Sequence, residues 1–136
     1  MLDMIFSTAP LAVIAPWVLT GIRIILGAIM IYYGSFKIND LKKTHVEFVD
    51  MGFRPGWLWG TLIAVLEFFG GILMVLGCGT GIVALMFGFE MLMGTLWKII
   101  KTDKPFTDYS YDILLFGLCL TVLAFGPGLF GLYLLF

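Results

Sequence analysis

Four apolar segments, each near the roughly 20 residues a helix needs to cross a bilayer, fill most of this chain and leave few folds open to it. They run over residues 16–36, 56–77, 80–99 and 112–135. Of the 136 residues, 61% are hydrophobic and only 12% are charged, against roughly 25% charged in a soluble domain. Too few polar side chains exist to cover such a surface, so lipid must cover it. The expected fold class is all-α. One domain over residues 1–136 forms a polytopic membrane protein, an antiparallel bundle of four transmembrane helices whose first partner is the lipid bilayer. A net charge of -1 offers nothing to nucleic acid.

Charge predicts how the bundle sits. Residues 1–15 contain Asp3 and no Lys or Arg, so the basic region of a signal peptide is missing. Interrupted by Pro10, this stretch reads as a short interfacial or re-entrant lead-in. The connection 37–55 holds Lys37, Lys42, Lys43 and Arg54, and the connection 98–111 holds Lys98, Lys101 and Lys104. Neither terminus nor the hairpin at 78–79 has a basic residue. The positive-inside rule therefore predicts both loops in the cytoplasm and both termini outside, in the plasma membrane of a prokaryote. Within the first loop Ile38, Leu41, His45, Phe48 and Val49 recur at spacings of three and four. That spacing predicts an amphipathic surface helix over 38–50, ended by Gly52 and Pro55. Pro127, in the sequence FGPG, is expected to kink the fourth span and leave a half-turn or an interfacial tail.

Inside the spans lie Arg23, Glu67 and Glu90. At 1.5 Å per residue, Glu67 is roughly 16 Å from the loop end of its helix and Glu90 about 15 Å from the hairpin end of the next. Both are near the midplane, where an ionised side chain is costly and needs a partner or a task. Arg23, about 10 Å from the start of its span by the same rise, is long enough to be expected beside them. Helical stripes agree. Arg23, Gly27, Met30, Gly34 and Lys37 share one face. Gly60, Ala64, Glu67, Gly71, Met74 and Cys78 share another, as do Val83, Phe87, Glu90, Gly94, Trp97 and Lys101. Each stripe has the seven-residue repeat of a left-handed bundle seam.

The expectation is a cluster of Arg23, Glu67 and Glu90, with one negative charge in surplus. In a low-dielectric interior that surplus favours a proton shared by the two carboxyls. Glu67 and Glu90 are then candidate proton carriers, with Arg23 orienting them or a quinone carbonyl. Equally, the trio could serve only to fix helix register. Lys37 and Trp97, at the loop ends of these stripes, are candidate cofactor-binding residues. Trp57, Trp59, Trp97, Tyr109 and Tyr111 read as an interfacial aromatic belt, with Trp17 at the opposite interface. Cys78 and Cys119 fall at different depths, which argues against a disulfide, and their spacing is no metal pattern. His45 reads as an exposed loop histidine.

In order and spacing, four stretches resemble the DoxX family of small four-helix membrane proteins. They are RIILGAIMIYYGSFK (23–37), FVDMGFRP (48–55), LEFFGGILMVLGCGTG (66–81) and FGPG (125–128). The family-type residues they carry are Arg23, Gly34, Lys37, Glu67, Gly70, Gly71 and Gly77. The chain departs from the pattern in its apolar end, LFGLYLLF, and in having Glu90. The resemblance implies a subunit of a membrane complex, such as the quinone-linked sulfur-oxidation systems that name the family or complexes handling thiol and oxidative stress. A related eukaryotic branch acts as a cargo receptor. Three readings stay open: a redox-associated subunit, a structural or assembly subunit with other membrane subunits or copies of itself as partners, and a proton-coupled transporter.

Overall fold

The apolar segments become helices whose ends the sequence marks with capping residues. A computed structural model describes residues 13–128. Among these, α1 spans Ala15–Asn39, α2 Leu41–Asp50, α3 Gly56–Leu76, α4 Thr80–Lys101 and α5 Phe106–Phe125, and no strand is present. Four of the five, α1, α3, α4 and α5, are long and apolar enough to cross a membrane. The chain is a multi-pass helical membrane protein.

Local chemistry sets the boundaries. Asp40 caps α2, its side chain accepting from the Lys43 N–H at 3.2 Å. Gly77, with φ of 77°, closes α3 by a Schellman motif: Cys78 N donates to the Leu73 carbonyl and Gly77 N to that of Met74. Gly79, also left-handed, then opens α4, so residues 77–79 form the whole hairpin. The fourth span differs from the expected 112–135. It begins at Phe106, behind Pro105, with Asp108 in its first turn near the positive end of the helix dipole. Pro127 does not kink the helix, because α5 has already ended at Phe125. The expected tail and the lead-in at 1–12 lie outside the described residues.

The spans form a ring in chain order, α1 against α3, α3 against α4, α4 against α5, and α5 back against α1. Contact is most extensive within the α1–α3 and α4–α5 pairs. The core at the centre includes Leu26, Met30, Met74, Phe87, Leu115 and Val122. Around it Ile25, Phe36, Leu62, Phe69, Leu85, Phe89 and Leu114 point outward, as lipid-facing side chains should.

The helix α2 lies along the first turns of α3. Thr44 is its buried residue, and His45 Nε2 meets Thr61 Oγ1 at 3.0 Å. Gly56 and Gly60 make this docking possible. A Cβ on Gly56 would collide with the His45 backbone carbonyl, and one on Gly60 would sit 3.1 Å from the His45 ring. Gly56→Leu is therefore expected to lift α2 off α3. Trypsin cleavage after Lys42 and Lys43 should then become several-fold faster in intact, detergent-solubilised protein.

Candidate functional site: a line of buried acids and lysines

Glu67 lies in the α1–α3 seam with its side chain only 3% exposed, and Oε1 accepts from Lys37 Nζ at 2.5 Å. Glycine sets this up. A Cβ on Gly34 would stand 2.5 Å from the Phe68 backbone nitrogen and 2.9 Å from the Glu67 carbonyl carbon. The α1 backbone thus rests directly on α3 at the level of Glu67. Two turns away Gly27 and Gly71 repeat the approach reciprocally, each facing the other's carbonyl oxygen at 2.7 and 2.8 Å from its missing Cβ.

Side-chain direction completes the pair. Helical side chains lean toward the N-terminus of their own helix. Lys37, in the last turn of α1, leans into the bundle, while Glu67 on the antiparallel α3 leans toward the loops. They meet.

Arg23 does not join them, contrary to the expected trio. Taking Gly34 as the level of Glu67, Arg23 lies about 16 Å further along α1 and leans away, toward the hairpin end. There it is buried and its Nη1 donates to the Pro127 carbonyl at 3.1 Å. It holds the 125–128 turn against the start of α1, where a Cβ on Gly128 would stand 2.7 Å from the Pro16 oxygen and Thr20 nitrogen. The conformation itself calls for glycine, with φ of 78° at Gly128.

Glu90, on α4, does adjoin Glu67. Its carboxyl is within hydrogen-bonding reach of Glu67 and close to Lys37 and Asp112. Glu67 Oε2 and Glu90 Oε2 are both fully enclosed and have no hydrogen-bond partner. Two adjoining carboxylates offer each other acceptors only, so a bond between them requires a proton on one.

A second pair continues the line toward the loops. Lys98 Nζ donates to Asp112 Oδ2 at 2.7 Å and to the Asp108 carbonyl at 3.2 Å. Their side chains are 25% and 17% exposed. This pair was not expected from the sequence, where Lys98 counted as a loop charge and Asp112 as the start of a span. A signal existed: Lys98 lies three residues before the end of α4 and Asp112 six residues after the start of α5, an offset of about 4.5 Å that two converging side chains can span. Their leans converge, as those of Lys37 and Glu67 do.

Trp97 stands about 10 Å from Glu90 along α4, with the Lys104 ammonium 5.9 Å from its ring centroid. It lies at the loop end of α4, away from the carboxyl pair. Cys78 and Cys119 are free, and Cys119 packs in the core beside Gly88.

Two shallow grooves lie on the surface of the described residues. One, between α4 and α5, is lined by Ala84, Gly88, Phe89, Phe116 and Cys119 among others; one lies near the hairpin end, between Thr80 and Pro127. Neither is lined by Arg23, Lys37, Glu67, Glu90 or Trp97. The residues that would recognise a quinone carbonyl are dispersed or already bonded, so the described residues do not fit the headgroup and no step through it follows. Among the described residues no cluster of three or more His, Cys, Asp and Glu could hold a metal.

The family model for DoxX matches residues 18–98, more than half of the chain. The chain belongs to the DoxX family. The matched DoxX region contains α2 and α3, nearly all of α1 and most of α4, and with them Lys37, Glu67, Glu90 and Lys98. Asp112, on α5, lies beyond it. No significant match was found among curated proteins or among solved structures.

Proposed function

We propose that this DoxX-family chain is the proton-carrying subunit of a membrane complex, with Glu67 and Glu90 as its working pair. One observation carries the reading: three carboxyls (Glu67, Glu90, Asp112) face two ammonium groups (Lys37, Lys98), and the two innermost carboxyls each keep an enclosed oxygen without a partner. Neutrality in a low-dielectric interior is reached with one proton on the pair. When that proton leaves, Lys37 still balances one of the two carboxylates, so only one charge is left uncompensated. In a redox complex of the kind the resemblance implies, a partner subunit would handle the electrons and this chain the proton. Basic loops in the cytoplasm, as the charge bias favours, would place the Lys98–Asp112 end on that side.

The test is infrared difference spectroscopy of the reconstituted chain across a pH titration. A protonated-carboxyl C=O band that shifts in D2O and is lost in both Glu90→Gln and Glu67→Gln is expected, with folded protein retained. Both carboxyls ionised throughout the physiological range would overturn the reading. The direct Lys37–Glu67 bond supports a second one, in which the charges fix helix register in an assembly subunit. In that case both glutamine variants alter complex stability on mild-detergent purification and the titrating band is absent.

A further inference from the structure

We propose that the exchangeable proton reaches Glu67 and Glu90 from the loop end, handed on by Asp112 through the gap that Gly94 leaves in α4. This rests on the reading that the pair carries a proton, and it assigns the route and its gate.

On α4, Glu90, Gly94 and Lys98 succeed one another at four-residue spacing and so share a face. Glycine in the middle leaves that face open. Asp112 Oδ2 lies 3.9 Å from where a Gly94 Cβ would be, occupying the level between its partner Lys98 and Glu90. Asp112 is close to both glutamate-side charges and the outside: it neighbours Glu90 and its side chain is partly exposed.

Toward the hairpin the way is closed. Phe87, fully buried and one turn before Glu90, has its ring 3.0 Å from the position of a Gly70 Cβ, one turn beyond Glu67. Beyond it follow Leu26, Met74, Val83 and Ala84, all buried and apolar. The pair therefore has an apolar cap on one side and a polar, partly exposed ladder on the other.

The titratable and charged groups facing this ladder come from four helices. They are Lys37 and Tyr33 of α1, Glu67 of α3, Glu90 and Lys98 of α4, and Asp112, Tyr111 and Cys119 of α5. The step is a proton transfer only. An O–H bond forms on the Asp112 carboxylate as bulk water gives up a proton. That bond breaks as an O–H forms on Glu90, directly or across a water at Gly94, and Lys98 stays protonated throughout, holding Asp112 in place.

The experiment times hydrogen–deuterium exchange of the C=O band after rapid mixing of the reconstituted protein with D2O. Wild type is compared with Asp112→Asn, Gly94→Leu and a lipid-facing control, Gly117→Leu, whose site has nothing within 4 Å. Exchange is expected to slow about a hundredfold in Asp112→Asn, the low end of what a positioned acid–base group contributes, and comparably in Gly94→Leu. The control should match wild type, and the band's equilibrium titration should persist in Gly94→Leu and in the control; Asp112→Asn also removes one carboxylate from the charge balance, so its exchange rate is compared only where its band is retained. Gly94→Leu keeps the test decisive should Asp112→Asn not fold. A normal band that exchanges at wild-type rate in Gly94→Leu and Asp112→Asn overturns the route and leaves the proton-carrying pair standing. Absence of the band in wild type removes both.

Discussion

Replacing Gly34 with leucine is expected to abolish the folded bundle. The missing Cβ faces backbone, 2.5 Å from Phe68 N and 2.8 Å from Phe68 Cα, so no rotamer change in a neighbour can make room and the helices themselves must part. Overpacking commonly costs about 1–3 kcal/mol, and a backbone collision belongs at or above the top of that range. Parting α1 from α3 also breaks Lys37 from Glu67. In membranes helix association depends on close packing rather than on hydrophobic exclusion, so little else compensates. The measurement is the yield of monodisperse protein and its unfolding midpoint in one detergent. Gly21→Leu and Gly117→Leu, at sites with nothing within 4 Å, should behave like wild type. Wild-type behaviour of Gly34→Leu would show that the seam does not hold the bundle together.

Lys37→Met is expected to have the second largest effect. It removes the only ion-pair partner of Glu67 among the described residues and leaves that carboxylate enclosed beside Glu90. Removing one member of a buried pair costs about 3–5 kcal/mol. The double variant Lys37→Met/Glu67→Gln should recover most of the loss, since a neutral amide needs no cation. A double-mutant cycle on unfolding free energies reads the coupling directly. Additive losses in the two single variants would mean that the ammonium and the carboxylate do not stabilise each other.

Much of the architecture was legible in the residues. Segment length and hydropathy identified four spans, the spacing of Leu41, His45 and Phe48 identified α2, and Gly27, Gly34 and Gly71 on the stripes of α1 and α3 lie in the seam. Boundaries were harder where polar residues belong to a span: Asp108 and Tyr109 sit within α5, though by composition they read as loop. The site was half legible. Glu67 and Glu90 adjoin, as equal depth on facing stripes suggested, but their cation is Lys37. Depth counted from estimated helix ends could not choose between Arg23 and Lys37, because both lie on one stripe. The lengthening of α1 to Asn39 and the direction in which each side chain leans made that choice.

The sequence by itself determined that this protein is a helical membrane bundle of the DoxX family, and that its second and third spans each carry a carboxyl to the middle of the bilayer. Those properties follow from hydropathy, helical rise and residue order, all local to the chain. Only the tertiary structure decided which charges meet. Pairing depends on how far α1 slides along α3 before Gly34 settles on Phe68, and on Gly94 leaving room for Asp112 beside Lys98. A slide of one turn, about 5.4 Å, would draw Lys37 away from Glu67 without altering any helix, so the line from Lys98 to Lys37 is a property of the packed bundle.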